Sequence, residues 1–496
     1  MGGEYWRAEP DGPARERVVS LDVPGREQPI PLVSAEGVFG AQRVDRGTSV
    51  LIRNAPIPAP CTGVVDLGCG YGPIAVSMGM RQPDAGLWAV DVNRRALALT
   101  ARNAASAGAH NVVVAEPEAV PAALRFDRIY SHPPIKIGRS SMHELLDGWL
   151  RRLSHGGDAY LVIKQSMGAD ALHSWLNDTG FPARRAASKQ GYRLLHVSEN
   201  DAMRQQPAGL TSDDLRTVNR ATGRAWNVLG RLVGGRSDSV QLLGSGDDRA
   251  VVKIKHGTWW GPQLAALEST VAALRAAGYP TPPVLAHGAL DEERHFLVTG
   301  FEVGSDAAGP DADVLAQAVA AIELHADVRP RPERDWSAMI TLFLNGGITE
   351  HEFHPSLSGL AAQALALVPH PVPALPSTEF VHGDFTIANL LSRNGALSAV
   401  VDLEGFGRGT RTIDLTSLLA SVIGTAPAAA VESLARAAIA ASDVATFRTC
   451  VAHRVLASLL AVGVEGDGGD GSDGGGVAAR IAEVSERARL LLAVAD

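Results

Sequence analysis

In "FVHGDFTIANLL" the run His382-Gly383-Asp384 is followed five residues later by Asn389, and a short strand then leads to Asp402 in "AVVDLEGFG". Phosphoryl transfer asks mainly for positioning and charge neutralisation. An aspartate orients the attacking hydroxyl, while an asparagine and a second aspartate hold Mg²⁺. The Asp–x4–Asn spacing is the one such catalytic loops use. Upstream, "RAVVKIK" sets Lys253 and Lys255 on one face of a strand, so alternation alone allows either to reach a phosphate. The "VVKI" pattern favours Lys253, and Glu268 on the next helix is the acid expected to pair with it. Only five of the 45 basic residues are lysine, which makes this pair conspicuous.

A second constellation lies near the other end of the chain. "VVDLGCGYG" runs from an apolar strand into Gly68, Gly70 and Gly72, where missing side chains let a backbone turn sharply and approach a ligand. Asp66 precedes the glycines. Asp91, about 20 residues further on at the end of "LWAVDV", is placed to accept both hydroxyls of a ribose. Beyond it, "YSHPPIKIG" stiffens a loop with two prolines directly after His132.

These residues need scaffolds. At 496 residues the chain is too long for one core, and 46% hydrophobic with 20% charged residues is ordinary globular composition. Residues 60–200 alternate apolar strands ("GVVDLGC", "GLWAVDV", "NVVVAEP", "FDRIYS", "DAYLVIK") with helical patterns ("RRALALTARNAASAG", "SMHELLDGWLRRLSHGG"). That alternation predicts an α/β doubly wound sheet. A polar interval, "SENDAMRQQPAGLTSDD", reads as a linker, after which "VQLLGSGDDRAVVKIK" predicts a hairpin turned at Gly246-Asp247-Asp248. A helix-rich remainder follows, with a glycine- and aspartate-rich loop over 463–476 and a closing amphipathic helix. The expected division is 1–200, a linker over 201–215, a small lobe over 216–303 and a larger one over 304–496. The halves should fold apart when cut near Gln205–Asp214.

Residues 1–200 hold 22 basic and 20 acidic residues, and the remainder holds 23 and 34. The first half tolerates a polyanion and the second favours a cationic partner. The N-terminus has no apolar core and no run of 18 apolar residues occurs, so neither a leader nor a membrane span is expected. Three cysteines without metal-ligand spacing suit a cytoplasmic setting.

Nearly all of residues 1–200 resembles the class I S-adenosylmethionine-dependent methyltransferases, and within them the small-subunit ribosomal RNA guanine-N2 enzymes. "GVFGAQRVDRGTSVLI", "HPPIKIGRSSMHELL" and "KQGYRLL" add to the likeness of the glycine loop. The resemblance implies a Rossmann-like fold and S-adenosyl-L-methionine held at Asp66, Gly68, Gly70 and Gly72. It also implies ribose contact at Asp91, adenine near Glu116 or Glu118, and ribosomal RNA or the small subunit as partner. Amino-group methyltransferases carry Asn or Asp, two prolines and an aromatic in the loop that here reads His132-Pro133-Pro134-Ile135. The side-chain oxygen and the first proline carbonyl accept from the target NH2. His132 therefore stands as a substitute in the acceptor slot, which leaves an inactive site, a retargeted site or a simple loop histidine open.

Residues 220–460 resemble the aminoglycoside phosphotransferase family, with a bilobal protein-kinase-like fold. That likeness implies ATP and Mg²⁺, with Asp384 as catalytic base, Asn389 and Asp402 on the metal and Glu404 assisting. It further implies Lys253 and Glu268 on the nucleotide side, Asp414 bracing the loop, Thr299–Gly304 as hinge and "GGRSDS" over the phosphates. The whole then reads as a bifunctional methyltransferase and small-molecule kinase, with antibiotic resistance or biosynthesis as a setting. The alternative keeps the kinase beside a nonmethylating RNA- or cofactor-binding module.

Overall fold

The computed structural model describes residues 7–10, 14–198, 209–232, 240–306, 311–328, 334–346, 353–464 and 474–495. They form two compact units, 1–258 with 285–299, and 259–284 with 300–496.

The first unit opens with a hairpin, β1 (Glu16–Leu21) and β2 (Ile30–Ala35), followed by helix α1 (Arg46–Asn54). The expected alternation comes next: β3 (Gly63–Leu67), α2 (Pro73–Arg81), β4 (Gly86–Val90), α3 (Arg94–Ala107), β5 (Val112–Ala115), β6 (Leu124–Ser131), α4 (Arg139–Leu150) and β7 (Leu153–Lys164). It closes with α5 (Ala169–Asp178), β8 (Ala183–Lys189) and β9 (Tyr192–Ser198). Strand order is β5-β4-β3-β6-β7-β9-β8, parallel from β5 to β7, with β9 antiparallel to β7 and β8 antiparallel to β9. β3 and β4 are buried at every residue, as parallel strands covered on both faces must be. The segment "LSHGG", expected to end a helix, begins β7 instead. Asn93 caps α3 by accepting from Ala96 N at 3.1 Å, and Gly108 at φ +75° ends it.

The unit continues with α6 (Ser212–Thr222), whose Thr211–Asp214 capping box fixes its start. A further run of strands follows, β10 (Asn227–Leu232), β11 (Val240–Ser245), β12 (Asp248–His256), β13 (Val284–Ala289) and β14 (Arg294–Gly300), in the order β13-β14-β12-β11-β10 and antiparallel at β10–β11 and β11–β12. The predicted hairpin is β11–β12, with Ser245 opposite Asp248 and Gly246 at φ +58°. β10 is not an edge strand, because Arg231 and Leu232 pair with Arg125 and Leu124 of β6 and join the two sheets.

Close approach makes that junction. A Cβ on Gly86 would stand 2.3 Å from Val228 O, and one on Gly63 would stand 2.3 Å from Gly230 Cα. Trp88 Nε1 donates to Leu229 O at 3.0 Å, and Arg231 meets Asp127 at 3.3 Å. Asp127 also accepts from Gly63 N and Ser154 Oγ, each at 3.0 Å. The compact division thus differs from the expected one at 201–215. Residues 209–232 are built onto the doubly wound sheet, and one of the chain's passages between units, at Thr299/Gly300, falls in the expected hinge. Residues 199–208, "GGRSDS" and most of the glycine-rich segment lie outside the described residues.

The second unit is the helix-rich remainder. It comprises α7 (Trp260–Ala276), β15 (Ser305–Asp306), α8 (Ala312–Ala326), α9 (Trp336–Asn345), α10 (Ser358–Ala366), β16 (Glu379–Val381), β17 (Leu390–Arg393), β18 (Ala396–Val400) and β19 (Gly407–Gly409). Helices α11 (Thr412–Val422), α12 (Ala428–Ala440), α13 (Val444–Val464) and α14 (Gly474–Ala495) complete it. β17 and β18 form a hairpin with Leu390 opposite Val400, and β16 pairs β19. α13 is long and apolar enough over Val444–Val462 to cross a membrane by length and composition, and half of that stretch is buried in this unit.

Gly86 has extended backbone, so valine would suit β4 if Val228 were absent. Gly86→Val should cost about 1–3 kcal/mol through overpacking in the full chain, read as a lower melting temperature for the first unit. The same change in a 1–205 fragment should be nearly neutral. An equal loss in both would place the constraint inside the doubly wound domain rather than at the junction.

Candidate functional sites

Strand order reverses at β3. Its carboxyl end, with that of β6 beside it, is where an open α/β sheet binds ligands. Ser131 Oγ donates to Leu67 O at 2.8 Å and ties the two strand ends together. From β3 the chain turns through Gly68 at φ +77° and Gly70 at φ +58°, and a Cβ on either would meet nothing within 4 Å. Those two glycines front open space. Gly72 differs, since its Cβ would press on Thr100 at 2.8 Å, so it serves the packed start of α2.

Asp66 is fully buried, and its Oδ2 accepts from Ala75 N at 3.0 Å while Oδ1 has no partner among the described residues. Burial pushes its pKa up to about 8. A cation placed against it would restore the charged form. Asp91 accepts from Gly70 N and Asn93 N, each at 2.9 Å, so it shapes the glycine loop and keeps lone pairs for further donors. Burial raises its pKa, with the Asn93, Gly70 and Val92 N–H groups opposing. The open space beside Gly68 and Gly70, the orphaned Asp66 oxygen and the Asp91 carboxylate fit a zwitterionic nucleoside cofactor. Glu116 caps the end of β5 and pairs with Arg94 at 3.0 Å.

His132 follows β6 directly, and Pro133 beside it is buried. Its Nδ1 lies 3.1 Å from Thr48 Oγ1 and 3.5 Å from Asp45 Oδ1. The rings of Phe39 and Tyr192 meet it edge-on, with centroids at 5.1 and 6.1 Å. Burial lowers its pKa, against the pull of Asp45.

In the second unit, the β17–β18 hairpin brings Asn389, just before β17, and Asp402, just after β18, to one end, and Val401 N donates to Asn389 O at 2.9 Å. Asn389 Nδ2 donates to Asp384 O at 2.8 Å. Asp402 adopts the left-handed conformation at φ +67° and is exposed. Asp414 is fully buried and accepts from His382 N at 2.7 Å and Gly383 N at 3.0 Å. His325 Nε2 lies 3.1 Å from it. His382 faces Val401 O through Nε2 at 3.0 Å, so its Nδ1 is free to accept Asp384 N at 3.3 Å. Gly383, at φ +87°, admits no side chain because a Cβ would strike the Trp336 ring at 2.4 Å.

No group of three or more His, Cys, Asp or Glu side chains able to hold a metal occurs among the described residues. An asparagine and an aspartate fit Mg²⁺ nonetheless, since that ion takes phosphate oxygens and water for the rest of its octahedron. Lys253 is half-buried on β12 of the first unit with Lys255 more deeply buried on the same face, and Glu268 is exposed on α7 of the second.

A model of the methyltransferase small domain matches residues 29–196, and one of the phosphotransferase enzyme family matches residues 228–448. The chain joins a methyltransferase domain to a phosphotransferase-family domain. Both belong to enzyme families. An uncharacterised Bacillus subtilis (strain 168) protein, YbxB, is 28% identical over 40% of this chain and all of its own length. The Shewanella halifaxensis ribosomal RNA small subunit methyltransferase C is 30% identical over 30% of this chain and 43% of its own length. The chain thus spans less than half of that second relative. Among solved structures, a T. thermophilus 16S rRNA N2 methyltransferase with AdoMet and guanosine has 20% identity and TM-score 0.32, covering 38% of this chain and 52% of that one. Aminoglycoside phosphotransferase APH(4)-Ia with ADP and hygromycin B has 16% identity and TM-score 0.41, covering 57% and 99%.

In the phosphotransferase domain a pocket of about 170 Å³ opens beside Asp384, walled by Trp336, Ile340, Ile413, Cys450, His453 and Arg454. Arg454 reaches Asp384 Oδ1 at 3.4 Å. Sequence reading missed these walls, along with Asp45 and Tyr192 in the methyltransferase domain. Arg454, one of two arginines in the apolar stretch of α13, was an available hint.

Burial pushes the pKa of His453 down to about 4, and Arg454 adds to the effect. The folded form keeps the ring neutral while the unfolded chain takes a proton near 6.5, so stability is present above that pH and lost as pH falls towards 4. The loss should total about 3 kcal/mol. Thermal scans between pH 7 and 4 should show His453→Gln flattening that slope, and parallel slopes would refute the assignment.

Proposed function

We propose that the chain is a bifunctional transferase. One site transfers a methyl group from S-adenosyl-L-methionine and the other phosphorylates a hydroxyl of a small molecule with Mg²⁺-ATP. The observation that carries the second activity is the braced loop, in which Asp384, Asn389 and Asp402 converge at one hairpin end while Asp414 fixes the backbone of His382 and Gly383. Mg²⁺-ATP supplies the phosphoryl group and its charge neutralisation. Asp384 orients the acceptor hydroxyl and takes its proton, and Asn389 and Asp402 would hold the metal.

The acid-rich C-terminal half led to the expectation of a cationic acceptor. The pocket supports a different acceptor, compact and neutral, because its walls are mostly apolar and its one carboxylate, Asp384, already faces Arg454. For the methyltransferase, Gly68 and Gly70 cradle the methionine end beside Asp66, and Asp91 takes the ribose. S-adenosyl-L-methionine supplies the electrophilic methyl, and the chain's part is to position the acceptor and exclude water. Ribosomal RNA is one acceptor the relatives suggest.

Asp384→Asn should reduce phosphoryl transfer by at least 10²-fold while calorimetry finds ATP affinity intact. Retained turnover would remove Asp384 from its role. Asp91→Ala should weaken S-adenosyl-L-methionine binding by about 1.5–3 kcal/mol for each hydroxyl that loses its charged acceptor. Unchanged affinity would move the ribose elsewhere.

A further inference from the structure

His132 is held in a way that a loop residue does not require. Its ring is gripped by Phe39, Tyr192 and the backbone of Gly47, where a Cβ would stand 2.8 Å from His132 Cε1. Both oxygens near Nδ1 come from the start of α1. Asp45 Oδ1 also accepts from Gly47 N at 2.7 Å, so this carboxylate is fixed by its own cap. Tyr192 OH stands 3.5 Å from Oδ2. Nε2 has no partner among the described residues, and the side chain keeps 9% of its surface exposed.

We propose that Asp45 and His132 form a base dyad at the methyltransferase site, and that the methyl acceptor is a hydroxyl group rather than the exocyclic amino group of a base. The proposal rests on the S-adenosyl-L-methionine reading above. A proton on Nδ1, donated to Thr48 Oγ1 at 3.1 Å and favoured by the Asp45 carboxylate at 3.5 Å, leaves the lone pair on Nε2. A carboxylate behind an imidazole holds the tautomer and stabilises the imidazolium that follows proton uptake. Positioning an amino group needs acceptors alone, whereas a neutral hydroxyl is a poor nucleophile until a base takes its proton. The step balances. The hydroxyl oxygen bonds to the methyl carbon as the carbon–sulfur bond breaks with its electron pair on sulfur. The hydroxyl proton passes to His132 Nε2 and later to water.

The groups around the dyad are compatible with this role. Tyr71 and Tyr192 are raised by burial and by Asp45 and stay neutral, while Arg43 and Arg46 lie near Tyr192. Burial keeps His132 neutral at pH 7 and ready to accept a proton. His132 is thus the catalytic residue, with Asp45 as its positioning residue.

The first test is the tautomer. ¹⁵N-histidine NMR of the full chain with S-adenosyl-L-methionine, with His132 identified by its loss in His132→Asn, should show the proton on Nδ1 and an unprotonated Nε2. Asp45→Asn keeps the helix cap. It should lower the His132 pKa further and weaken the Nδ1–H preference. A proton on Nε2 in the wild type overturns the dyad. A wild type that binds no cofactor by calorimetry overturns the underlying cofactor reading instead.

The second test is methyl transfer from labelled cofactor to catechol and to small ribosomal subunits, with digestion to separate ribose O-methyl from guanine N2-methyl. Label on hydroxyl oxygen is expected. Asp45→Asn should cost about 10–100-fold and move the acidic limb of the rate profile to lower pH, with cofactor affinity unchanged. Catechol product would point to a small-molecule acceptor and ribose product to RNA. Label on guanine N2 that increases in His132→Asn overturns the proposal.

Discussion

Asp414 is fully buried, and a carboxylate without water is tolerated only where fixed donors replace it. Here the donors are two consecutive backbone N–H groups, those of His382 and Gly383. Satisfying the charge therefore dictates the path of the chain just before Asp384. Gly383 must adopt a positive φ and Trp336 fills the space where its side chain would lie. The methyltransferase site uses the same device. Asp91 takes the N–H groups of Gly70 and Asn93, so the acid proposed to meet the ribose also sets the curvature of the glycine loop. Loss of either carboxylate would disturb geometry as well as charge.

The junction between β6 and β10 rests on the opposite principle, an absence of side chains. Gly63, Gly86 and Gly230 let main chain meet main chain, and Trp88 adds a side-chain hydrogen bond across the seam. Gly63 and Gly86 sit at the amino ends of β3 and β4, away from the carboxyl ends where the ligand belongs. The methyltransferase sheet is therefore engaged at both ends, by a ligand cradle at one and by a structural seam at the other. Because the seam contributes to the same compact unit, cofactor binding should add stability to β10–β12 by linkage as well as to the doubly wound core.

Much of this was legible. The five core strands and α3 announce themselves by periodicity, and Gly246-Asp247 by its turn chemistry. The glycine loop, Asp91, Asp384, Asn389 and Asp402 lie in short segments whose spacing carries their chemistry. What sequence could not reveal depends on residues far apart in the chain. "LSHGG" reads as the end of a helix, yet strand pairing along β6 overrides that local preference. After the polar interval that reads as a linker, β10 pairs with β6, a contact no local pattern announces. Gly72 reads as a cofactor glycine, and the position of Thr100 gives it a packing reason that sequence does not show.

A pattern follows from where the illegible residues fall. Both sites assemble their donor side from contiguous motifs, since the cofactor and the nucleotide are fixed chemistries that a short loop can meet. Their acceptor sides are assembled from distant segments. Thr48 closes on His132 from 84 residues before it, with Asp45 beside Thr48 and Tyr192 from the later strand β9, and Arg454 reaches Asp384 across 70 residues. At those positions an imidazole stands near a carboxylate in one domain and a guanidinium faces Asp384 in the other. A guanidinium at 3.4 Å from Asp384 opposes a cationic acceptor by like-charge repulsion before any contact forms. The surroundings of His132 and Asp384 are thus written in tertiary contacts, whereas the glycine loop and the Asp–x4–Asn spacing are written in sequence.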